Sequence, residues 1–292
     1  MTREVELALG TAQFGMAYGV SGRVGPVPLR EVREILECAW NCGIRMLDTA
    51  PAYGDIEAHL CGAAGQRAFS IVSKIPALPE LPGPLAVEKF VRESIRITRA
   101  RLGSRLNTLL FHRGVDLLDT HGAAAWESAT DAAAQANIRL GISCYSPEEA
   151  IAVIAKFPIE VAQLPGNAFD QRLSLNGVLD GLGSVEIHLR SVFLQGLLLL
   201  PAAAAAARVP EAAGPLAAWT QWRNERRIDP VRAALGVAKS LPRVRYCVVG
   251  VDRQSQLEEI AAAWASTGAL AAESLATTDP GVIDPRRWAG RQ

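Results

Sequence analysis

The chain has 292 residues, of which 49% are apolar and 21% are charged, a balance typical of a globular protein. It is long enough to bury a full core without disulfides or a structural metal, as one large domain or two modest ones. Lysine plus arginine and aspartate plus glutamate each number 30, so the formal net charge at pH 7 is zero. This balance argues against a dedicated nucleic-acid-binding protein and against a polybasic membrane anchor.

Targeting and redox features predict a cytoplasmic protein. The first seven residues alternate charged with apolar side chains and lack the apolar core of a signal peptide. The longest apolar stretch, residues 192–207, is interrupted by Gln195, Gly196 and Pro201 and is too short to cross a bilayer. The five cysteines include no Cys-x-x-Cys pair, which is typical of free thiols in a reducing compartment.

Eight short and mostly apolar segments predict β-strands that are covered on both faces. In chain order these are residues 5–9, 44–48, 69–75, 106–111, 138–142, 159–164, 185–191 and 246–251. Amphipathic segments between them predict helices. These are residues 29–41, 55–64, 85–102, 117–136, 147–156, 175–182, 230–239 and 254–265. The alternation of the two kinds of segment predicts an α/β fold built from strand–helix units.

Eight such units within about 250 residues predict a single (β/α)8 TIM barrel, with residues 1–292 as one domain. A doubly wound sheet is the alternative, but it normally has Gly-x-Gly-x-x-Gly after its first strand. Here the first strand is followed by Gly10-Thr-Ala-Gln-Phe-Gly15, which does not fit. We expect residues 277–292 to form an irregular C-terminal tail. The Leu- and Ala-rich residues 197–215 are expected to form an elaborated apolar loop after strand seven.

Four polar side chains fall at or just beyond the ends of neighbouring predicted strands. Asp48 closes strand two, Tyr53 lies in the loop that follows, Lys74 lies near the end of strand three, and His112 follows strand four. In a barrel these strand ends meet at the rim that carries the active site. Each residue alone has an ordinary explanation, as a helix cap, an ion-pair partner, a core histidine or a loop aromatic. Together they indicate a site, because burying four polar groups at one rim without a use is costly.

These side-chain types suit general acid–base chemistry. A phenol ordinarily has a pKa of about 10, and a lysine ammonium nearby stabilises the phenolate. Asp48 would keep Lys74 charged and in position. Tyr53 could then give a proton to a carbonyl oxygen or take one from an alcohol, while His112 holds the substrate oxygen by a hydrogen bond. Such chemistry pairs with a cofactor that transfers a hydride.

In this order and context, the four residues match the Asp, Tyr, Lys and His catalytic tetrad of the aldo-keto reductases. Further matching stretches are residues 9–15, 140–143, 163–167, 191–196 and 248–251. The sequence thus resembles short bacterial members of that family over residues 5–265. The resemblance implies an NAD(P)H-dependent oxidoreductase that reduces an aldehyde or ketone to the alcohol, or the reverse. The matching branch is often associated with sugar metabolism, so a sugar-type carbonyl is one candidate substrate.

The resemblance also implies a cofactor site along the rim. Ser143 and Gln163 match positions that hydrogen-bond the nicotinamide carboxamide, and residues 191–195 match the loop that holds the pyrophosphate. The last strand–helix turn would hold the adenosine phosphate near a helix N-terminus. The residues expected to contact the cofactor are Gly10, Thr11, Asp48, Ser143, Gln163, Arg190, Ser191, Phe193, Gln195, Gly250, Arg253 and Gln256.

Two departures from the family pattern lie at the nicotinamide. Cys144 stands where an asparagine usually follows the nicotinamide-binding serine, so one amide contact is absent. Arg190 stands where an aromatic residue usually stacks on the nicotinamide ring. A guanidinium plane can stack on a ring, so Arg190 is a candidate substitute.

A third departure concerns the 2′-phosphate of NADP. Many relatives bind it with a lysine, a serine and an arginine, which align with Gly250, Val251 and Gln256. Arg253 offers positive charge there, although Asp252 beside it would repel a phosphate. The sequence therefore favours NADP(H) by a narrow margin, with NAD(H) as the alternative.

Other classes of protein fit less well. A Schiff-base aldolase would use Lys74 as its nucleophile, but the matching cofactor stretches would then be unexplained. A non-catalytic barrel that binds the cofactor as a sensor or regulatory subunit is the second alternative, and the complete tetrad argues against it. His59 with Cys61, and His112 with His121, lack the spacing of a zinc site. We expect no metal, a small-molecule carbonyl or alcohol as the partner, no nucleic acid or membrane, and a monomer by default.

Overall fold

The computed structural model describes residues 4–19 and 25–288, which form a closed barrel of eight parallel strands. Each strand pairs with its neighbours in chain order, and β8 closes the barrel against β1. The strands are β1 Glu6–Gly10, β2 Met46–Asp48, β3 Ser70–Ile75, β4 Leu106–Phe111, β5 Arg139–Ser143, β6 Val161–Pro165, β7 Glu186–Arg190 and β8 Val244–Gly250. The predicted (β/α)8 TIM barrel is confirmed, and the closed sheet excludes the doubly wound alternative.

Helices surround the barrel. They are α1 Ala12–Gly15, α2 Leu29–Asn41, α3 Ile56–Ala64, α4 Pro84–Leu102, α5 Gly122–Ala134, α6 Pro147–Ile154, α7 Val178–Gly181, α8 Ala202–Arg208, α9 Ala213–Arg226, α10 Pro230–Ser240, α11 Gln254–Ser266 and α12 Pro280–Ile283. Short 3-10 turns occur at Gly103–Arg105, Gly114–Leu118, Arg172–Ser174, Leu194–Leu199, Pro210–Ala212, Glu273–Leu275 and Pro285–Trp288. Helix α2 shows why such segments fold here. Its buried residues Val32, Ile35, Leu36 and Ala39 recur at the spacing of one helix face.

The core has two layers, one inside the barrel and one between the strands and the helices. The inner layer contains Ala8, Met46, Val72, Leu110 and Val161, each contributed by a different strand. The outer layer includes their strand neighbours Leu9, Leu47, Ile71, Leu109 and Ala162. Successive side chains of a strand point to opposite faces, so a strand that is buried on both sides contributes side chains to both layers of the core.

The same alternation positions the candidate site. A side chain two residues beyond an inner-layer residue points toward the barrel axis again, one layer closer to the C-terminal mouth. The residues that occupy this position are Gly10, Asp48, Lys74, His112 and Gln163. Strand periodicity thus explains why the polar residues of β2, β3, β4 and β6 converge at the mouth.

Two predicted helices differ from the observed ones. The predicted helix 117–136 is split into the turn Gly114–Leu118 and helix α5. The chain bends back at Gly122, where a Cβ would lie 2.0 Å from the carbonyl oxygen of Leu117. The predicted helix 175–182 is only the single turn α7. It begins after Gly177, whose positive φ of 79° interrupts a helix.

Residues 197–215, predicted as an elaborated loop after strand seven, contain α8, a 3-10 turn and the first residues of α9, and their apolar sequence did not indicate these helices. Alanine has the highest helix propensity, and here that preference prevails over the lack of an amphipathic pattern. Helix α9 buries Trp219 and Trp222, and the Trp219 Nε1 donates a 3.0 Å hydrogen bond to the Leu198 carbonyl. The segment after β7 is therefore packed onto the rim.

The C-terminal tail is more ordered than expected. Residues 277–288 include α12 and the turn Pro285–Trp288, and the Trp288 indole donates to the Gly281 carbonyl over 2.9 Å. Thr277 N donates to the carbonyl of Phe169, which ties the tail to the loop after β6. Residues 289–292 of the predicted tail lie outside the described residues.

Across residues 4–19 and 25–288, no helix is long and apolar enough to cross a membrane.

Candidate active site

A buried ion pair lies at the centre of the mouth. Lys74 Nζ donates to Asp48 Oδ1 over 2.8 Å and to the Thr49 carbonyl over 2.9 Å. Gln163 Nε2 donates to the other carboxylate oxygen, Asp48 Oδ2, over 2.7 Å. Asp48, Lys74 and Gln163 are respectively 5%, 1% and 1% exposed. Both carboxylate oxygens are therefore satisfied, as burial of a charged group requires.

The environment of Lys74 keeps it charged. Burial acts to lower the pKa of Lys74, but the negative charge of Asp48 and the contact with the Tyr53 phenol outweigh it. The pKa of Lys74 is consequently raised above its ordinary value. The ammonium lies 5.2 Å from the centroid of the Tyr53 ring. A permanent positive charge thus lies beside the one phenol predicted to exchange a proton.

The loop that carries Tyr53 is fixed by close backbone packing against α1. A Cβ on Gly15 would lie 1.6 Å from the Tyr53 carbonyl oxygen, and Gly54 has a positive φ of 65°. Only a residue without a side chain fits at Gly15, and Gly54 adopts a backbone conformation that favours glycine. These two glycines set the position of the phenol relative to the barrel mouth.

His112 faces Tyr53 and is kept neutral. The two rings meet edge to face with centroids 6.1 Å apart. Burial lowers the pKa of His112 to about 4, and the positive charges of Lys74 and Arg190 act in the same direction. A neutral imidazole at this position can donate an N–H to a substrate oxygen without adding charge to the site.

A cleft of about 500 Å³ runs along the rim from Tyr53 to the start of α11. We call the part near Asp48 and Tyr53 the catalytic end, and the part formed by residues 250–259 the far end. The expected site residues that line the cleft are Gly10, Thr11, Asp48, Tyr53, Gln163, Arg190, Ser191, Phe193, Gln195, Gly250, Arg253 and Gln256. Lys74 and His112 lie beside the catalytic end, whereas Ser143 is buried as the strand partner of Gln163.

The loop after β7 has an unusual backbone. Ser191, Leu194 and Gln195 have φ values of 63°, 48° and 54°, although none is a glycine, and Gly196 follows at 92°. Phe193, which directly precedes Leu194, has a φ of −96°. A right-handed residue followed by a left-handed one turns successive N–H groups toward one side, which forms an anion-binding concavity. Backbone strain of this kind is concentrated at functional sites.

The far end of the cleft carries more negative than positive charge. Asp252 is 8% exposed, and its Oδ1 accepts no hydrogen bond from the described residues. Arg253 Nε lies 3.2 Å from that oxygen, while its side chain is 67% exposed. Gln256 is engaged, because its Oε1 accepts from the Asp252 N–H over 2.9 Å. Glu259 also lines this end.

Sequence reasoning missed three residues near the catalytic end. Tyr18 lines the cleft and interacts electrostatically with Arg190 and Tyr53. Arg190 Cζ lies 4.5 Å from the centroid of the Tyr145 ring, and Arg286 Cζ from the tail lies 3.6 Å from it. Tyr145 follows β5 by two residues, a rim position that could have signalled it. Nothing in the sequence links Arg286 to the rim.

These residues fit a dinucleotide cofactor. The concave loop 191–196 suits a pyrophosphate. Asp252 Oδ1 has an ion-pair contact with Arg253 but accepts no hydrogen bond from the described residues, so it can accept one from a ribose hydroxyl. Gln163 fits as well, because it lines the cleft and Asp48 accepts from its Nε2, which leaves its Oε1 as the acceptor for a carboxamide N–H. Within the described chain, no group of three or more His, Cys, Asp or Glu side chains could hold a metal ion.

The eight-stranded barrel and the polar groups at its mouth define a class of barrel oxidoreductase. The sequence matches the aldo/keto reductase family over residues 6–280. The chain therefore belongs to the aldo-keto reductase family, whose members are oxidoreductases that use nicotinamide cofactors on small-molecule carbonyl substrates. A comparison with curated proteins gave no match.

Solved structures share the fold at low sequence identity. The chain is similar to an aldo-keto reductase of Pseudomonas aeruginosa, with 21% identity and a TM-score of 0.65 over 91% of this chain and 97% of that one. It is also similar to the aldo-keto reductase AKR11C1 of Bacillus halodurans in its holo form, with 18% identity and a TM-score of 0.71 over 99% of this chain and 96% of that one.

Proposed function

We propose that this enzyme reduces an aldehyde or ketone to the alcohol, or catalyses the reverse reaction, with Tyr53 as the general acid or base. The observation that carries the proposal is the fully buried Asp48–Lys74 pair beside the Tyr53 ring. An ion pair without solvent access is costly to keep unless its charge is used. Here the ammonium stabilises the phenolate that forms when Tyr53 gives up its proton.

Three side chains, His112, Tyr53 and Lys74, have separate roles in the proposed reduction. His112, neutral above about pH 5 because its pKa is about 4, donates an N–H to the carbonyl oxygen and polarises it. When bound, the cofactor supplies the hydride that adds to the carbonyl carbon. Tyr53 gives its proton to the oxygen, and Lys74 compensates the negative charge left on the phenol. In the oxidation direction Tyr53 takes the proton back.

The surroundings of Lys74 argue against the Schiff-base aldolase. Attack on a carbonyl requires an uncharged amine. The raised pKa of Lys74 and its hydrogen bonds to Asp48 and Thr49 favour the ammonium instead.

The choice between the two nicotinamide cofactors depends on the far end of the cleft. The sequence favours NADP(H), and that preference stays a prediction. The contacts at this end support the unphosphorylated cofactor, because Arg253 is already paired with Asp252 and Gln256 is engaged. A 2′-phosphate would also meet the carboxylates of Asp252 and Glu259. We therefore propose that NAD(H) binds at least as tightly as NADP(H).

The proposal is tested by incubating the enzyme with NADH or NADPH and a panel of aldehydes, ketones and short sugars. Loss of the absorbance of the reduced cofactor is followed, and the alcohol is identified. We expect turnover with at least one carbonyl class, with one alcohol formed per cofactor oxidised. Cofactor binding without turnover across the panel would support the non-catalytic sensor instead. A lysine adduct trapped by borohydride would support the aldolase.

A further inference from the structure

Arg190 brings a positive charge to the catalytic end of the cleft, and no ion pair among the described residues includes it. It is half-buried at the end of β7 and lines the cleft. Its Nη1 donates to Ser191 Oγ over 3.2 Å, and its Nη2 donates to the Cys144 carbonyl over 3.0 Å. Both acceptors are neutral, and none of the ion pairs formed by the described residues involves Arg190. Its guanidinium therefore has no ion-pair partner among the described residues, and the carboxylate of Glu149 acts only from beyond Tyr145 N.

Two nearby arginines show the contrast. Arg172 Nη2 lies 2.7 Å from Asp170 Oδ2, and Arg286 forms three side-chain hydrogen bonds with Asp284. Arg190 has no comparable partner, although it contacts the same Tyr145 ring as Arg286. The ring holds the guanidinium in place while leaving its charge intact.

The other charges at this end cancel. Lys74 is matched by Asp48 at 2.8 Å, and His112 is neutral at physiological pH because its pKa is about 4. Asp252 and Glu259 lie at the far end. Glu149 accepts a 2.8 Å hydrogen bond from Tyr145 N and acts on the Cys144 thiol together with Arg190, but it does not line the cleft. Arg190 is therefore the cation that lines the catalytic end without an ion-pair partner among the described residues.

This charge distinguishes the two redox states of the cofactor. The oxidised nicotinamide ring is positively charged, and the reduced ring is neutral. A cation near the ring therefore disfavours the oxidised form and leaves the reduced form unaffected. For charges in van der Waals contact, the effect ranges from about 5-fold in the dielectric of water to about 10³-fold at an effective dielectric constant of 20.

We propose that Arg190 makes this enzyme bind reduced nicotinamide cofactor more tightly than oxidised cofactor. The inference rests on the proposed function and on the position of Arg190, which lines the cleft together with Asp48 and Tyr53 and acts electrostatically on His112. Its consequence is a bias toward carbonyl reduction. In that direction the carbonyl carbon gains a hydride, which is one proton with two electrons, and the carbonyl oxygen takes a proton from Tyr53. The bound cofactor would supply the hydride, and the positive charge of Arg190 would favour release of its oxidised form.

The test is direct measurement of both dissociation constants, by calorimetry or by quenching of protein fluorescence. We expect the ratio Kd(oxidised)/Kd(reduced) to be at least about 10 in the wild type. The ratio should fall toward 1 in Arg190→Gln, because the charge is removed. It should remain high in Arg190→Lys, because lysine keeps the positive charge. Arg190→Met gives the same readout if the glutamine variant is unstable. Arg208→Gln is the matched control and should leave the ratio unchanged, because Arg208 is exposed at the end of α8 and does not line the cleft.

An unchanged ratio in Arg190→Gln, or equal loss of the ratio in the lysine and glutamine variants, would overturn the proposal. The function proposed above would survive either result. Failure of the wild type to bind either form would instead contradict the proposed function itself.

Discussion

The two ends of the cleft balance their charges in different ways. At the catalytic end Asp48 and Lys74 are almost fully buried, and their charged groups lie 2.8 Å apart. Lys74 also donates to the Thr49 carbonyl, and Asp48 also accepts from Gln163. At the far end the Arg253 side chain is 67% exposed, and one buried oxygen of Asp252 accepts no hydrogen bond from residues 4–19 and 25–288. The first arrangement is set by strands that are buried on both sides. The second depends on side chains of a surface turn.

The contrast shows where function is fixed and where it can vary. A residue at the end of a barrel strand has its direction set by strand periodicity, so the catalytic end tolerates few alternatives. A residue in the turn between β8 and α11 can be exchanged without disturbing the core. We therefore expect substitutions at the catalytic end to have large effects on rate and stability, and those at the far end to shift cofactor preference modestly.

The largest expected effect follows removal of the buried ammonium. Lys74→Met leaves the Asp48 carboxylate buried with Gln163 as its remaining side-chain partner. Breaking a buried pair in this way costs about 3–5 kcal/mol of stability. The pH at which alcohol oxidation becomes efficient should also rise, because the phenolate of Tyr53 loses a nearby cation. Denaturant unfolding and the pH profile of oxidation measure the two effects.

Two further variants serve as comparisons for Lys74→Met. Asp48→Asn should shift the pH profile in the same direction but less, because Lys74 remains present. Arg101→Met removes the partner of another buried carboxylate, Glu57, away from the cleft. It should lower stability and leave the pH profile in place. If Lys74→Met keeps both the rate and the profile of the wild type, the lysine has only a structural role.

A single methyl group at Gly15 should misplace Tyr53. The Cβ of Gly15→Ala would lie 1.6 Å from the Tyr53 carbonyl oxygen, so the loop must move. Displacement of a catalytic group by about 1 Å can cost on the order of 10²-fold in rate. Gly62→Ala, on α3 with open space around it, is the control and should keep full activity. Steady-state kcat for the two variants decides the matter, and equal kcat would contradict this account of the loop.

His112 should make stability depend on pH. Its pKa is about 4 in the folded protein and about 6.5 in an unfolded chain, so protons bind the unfolded state more readily. The free energy of unfolding should therefore fall by about 1–2 kcal/mol between pH 7 and pH 5, after allowance for partial exposure. His112→Gln should lose this component, whereas His59→Gln, on the exposed side of α3, should retain it. Identical pH dependence in all three proteins would rule out a buried neutral imidazole.

The smallest effects are expected at the far end. Asp252→Asn should shift preference toward NADP(H) and Arg253→Ala toward NAD(H), each by about 10- to 150-fold at most, the value of one charged contact. Glu258→Gln, next to the cleft residue Glu259, is the control. Dissociation constants for NADH and NADPH at fixed low salt provide the measurement. A preference of several thousandfold for NADPH in the wild type would mean that another residue binds the phosphate.

The fold was predictable because it rests on apolar runs. All eight strands were located within two residues, since strands buried on both faces appear as continuous apolar segments. The positions of Asp48, Lys74 and His112 at the mouth could also be predicted from the sequence, because the C-terminal ends of all barrel strands lie at one rim. Helices α8 and α9 were missed, since alanine-rich helices without a clear polar face resemble an apolar loop.

The remaining contacts depend on tertiary packing that no local pattern encodes. Arg286 reaches Tyr145 only because the tail folds back over the rim. The surroundings of Asp252 depend on two contacts within one turn: its N–H donates to Gln256 Oε1, and its Oδ1 forms an ion pair with Arg253. Such exposed and semi-exposed contacts leave no periodic signal in the sequence.

The proton donor assigned to Tyr53 is the central claim, and single-turnover reduction by Tyr53→Phe tests it most directly. Enzyme loaded with reduced cofactor is mixed with the best aldehyde of the panel, and cofactor oxidation is followed in the wild type and the variant. Loss of a general acid should slow the step by about 10²–10⁴-fold, while the dissociation constant of the cofactor stays unchanged because the ring remains. A phenylalanine variant that keeps most of the wild-type rate would contradict the assignment.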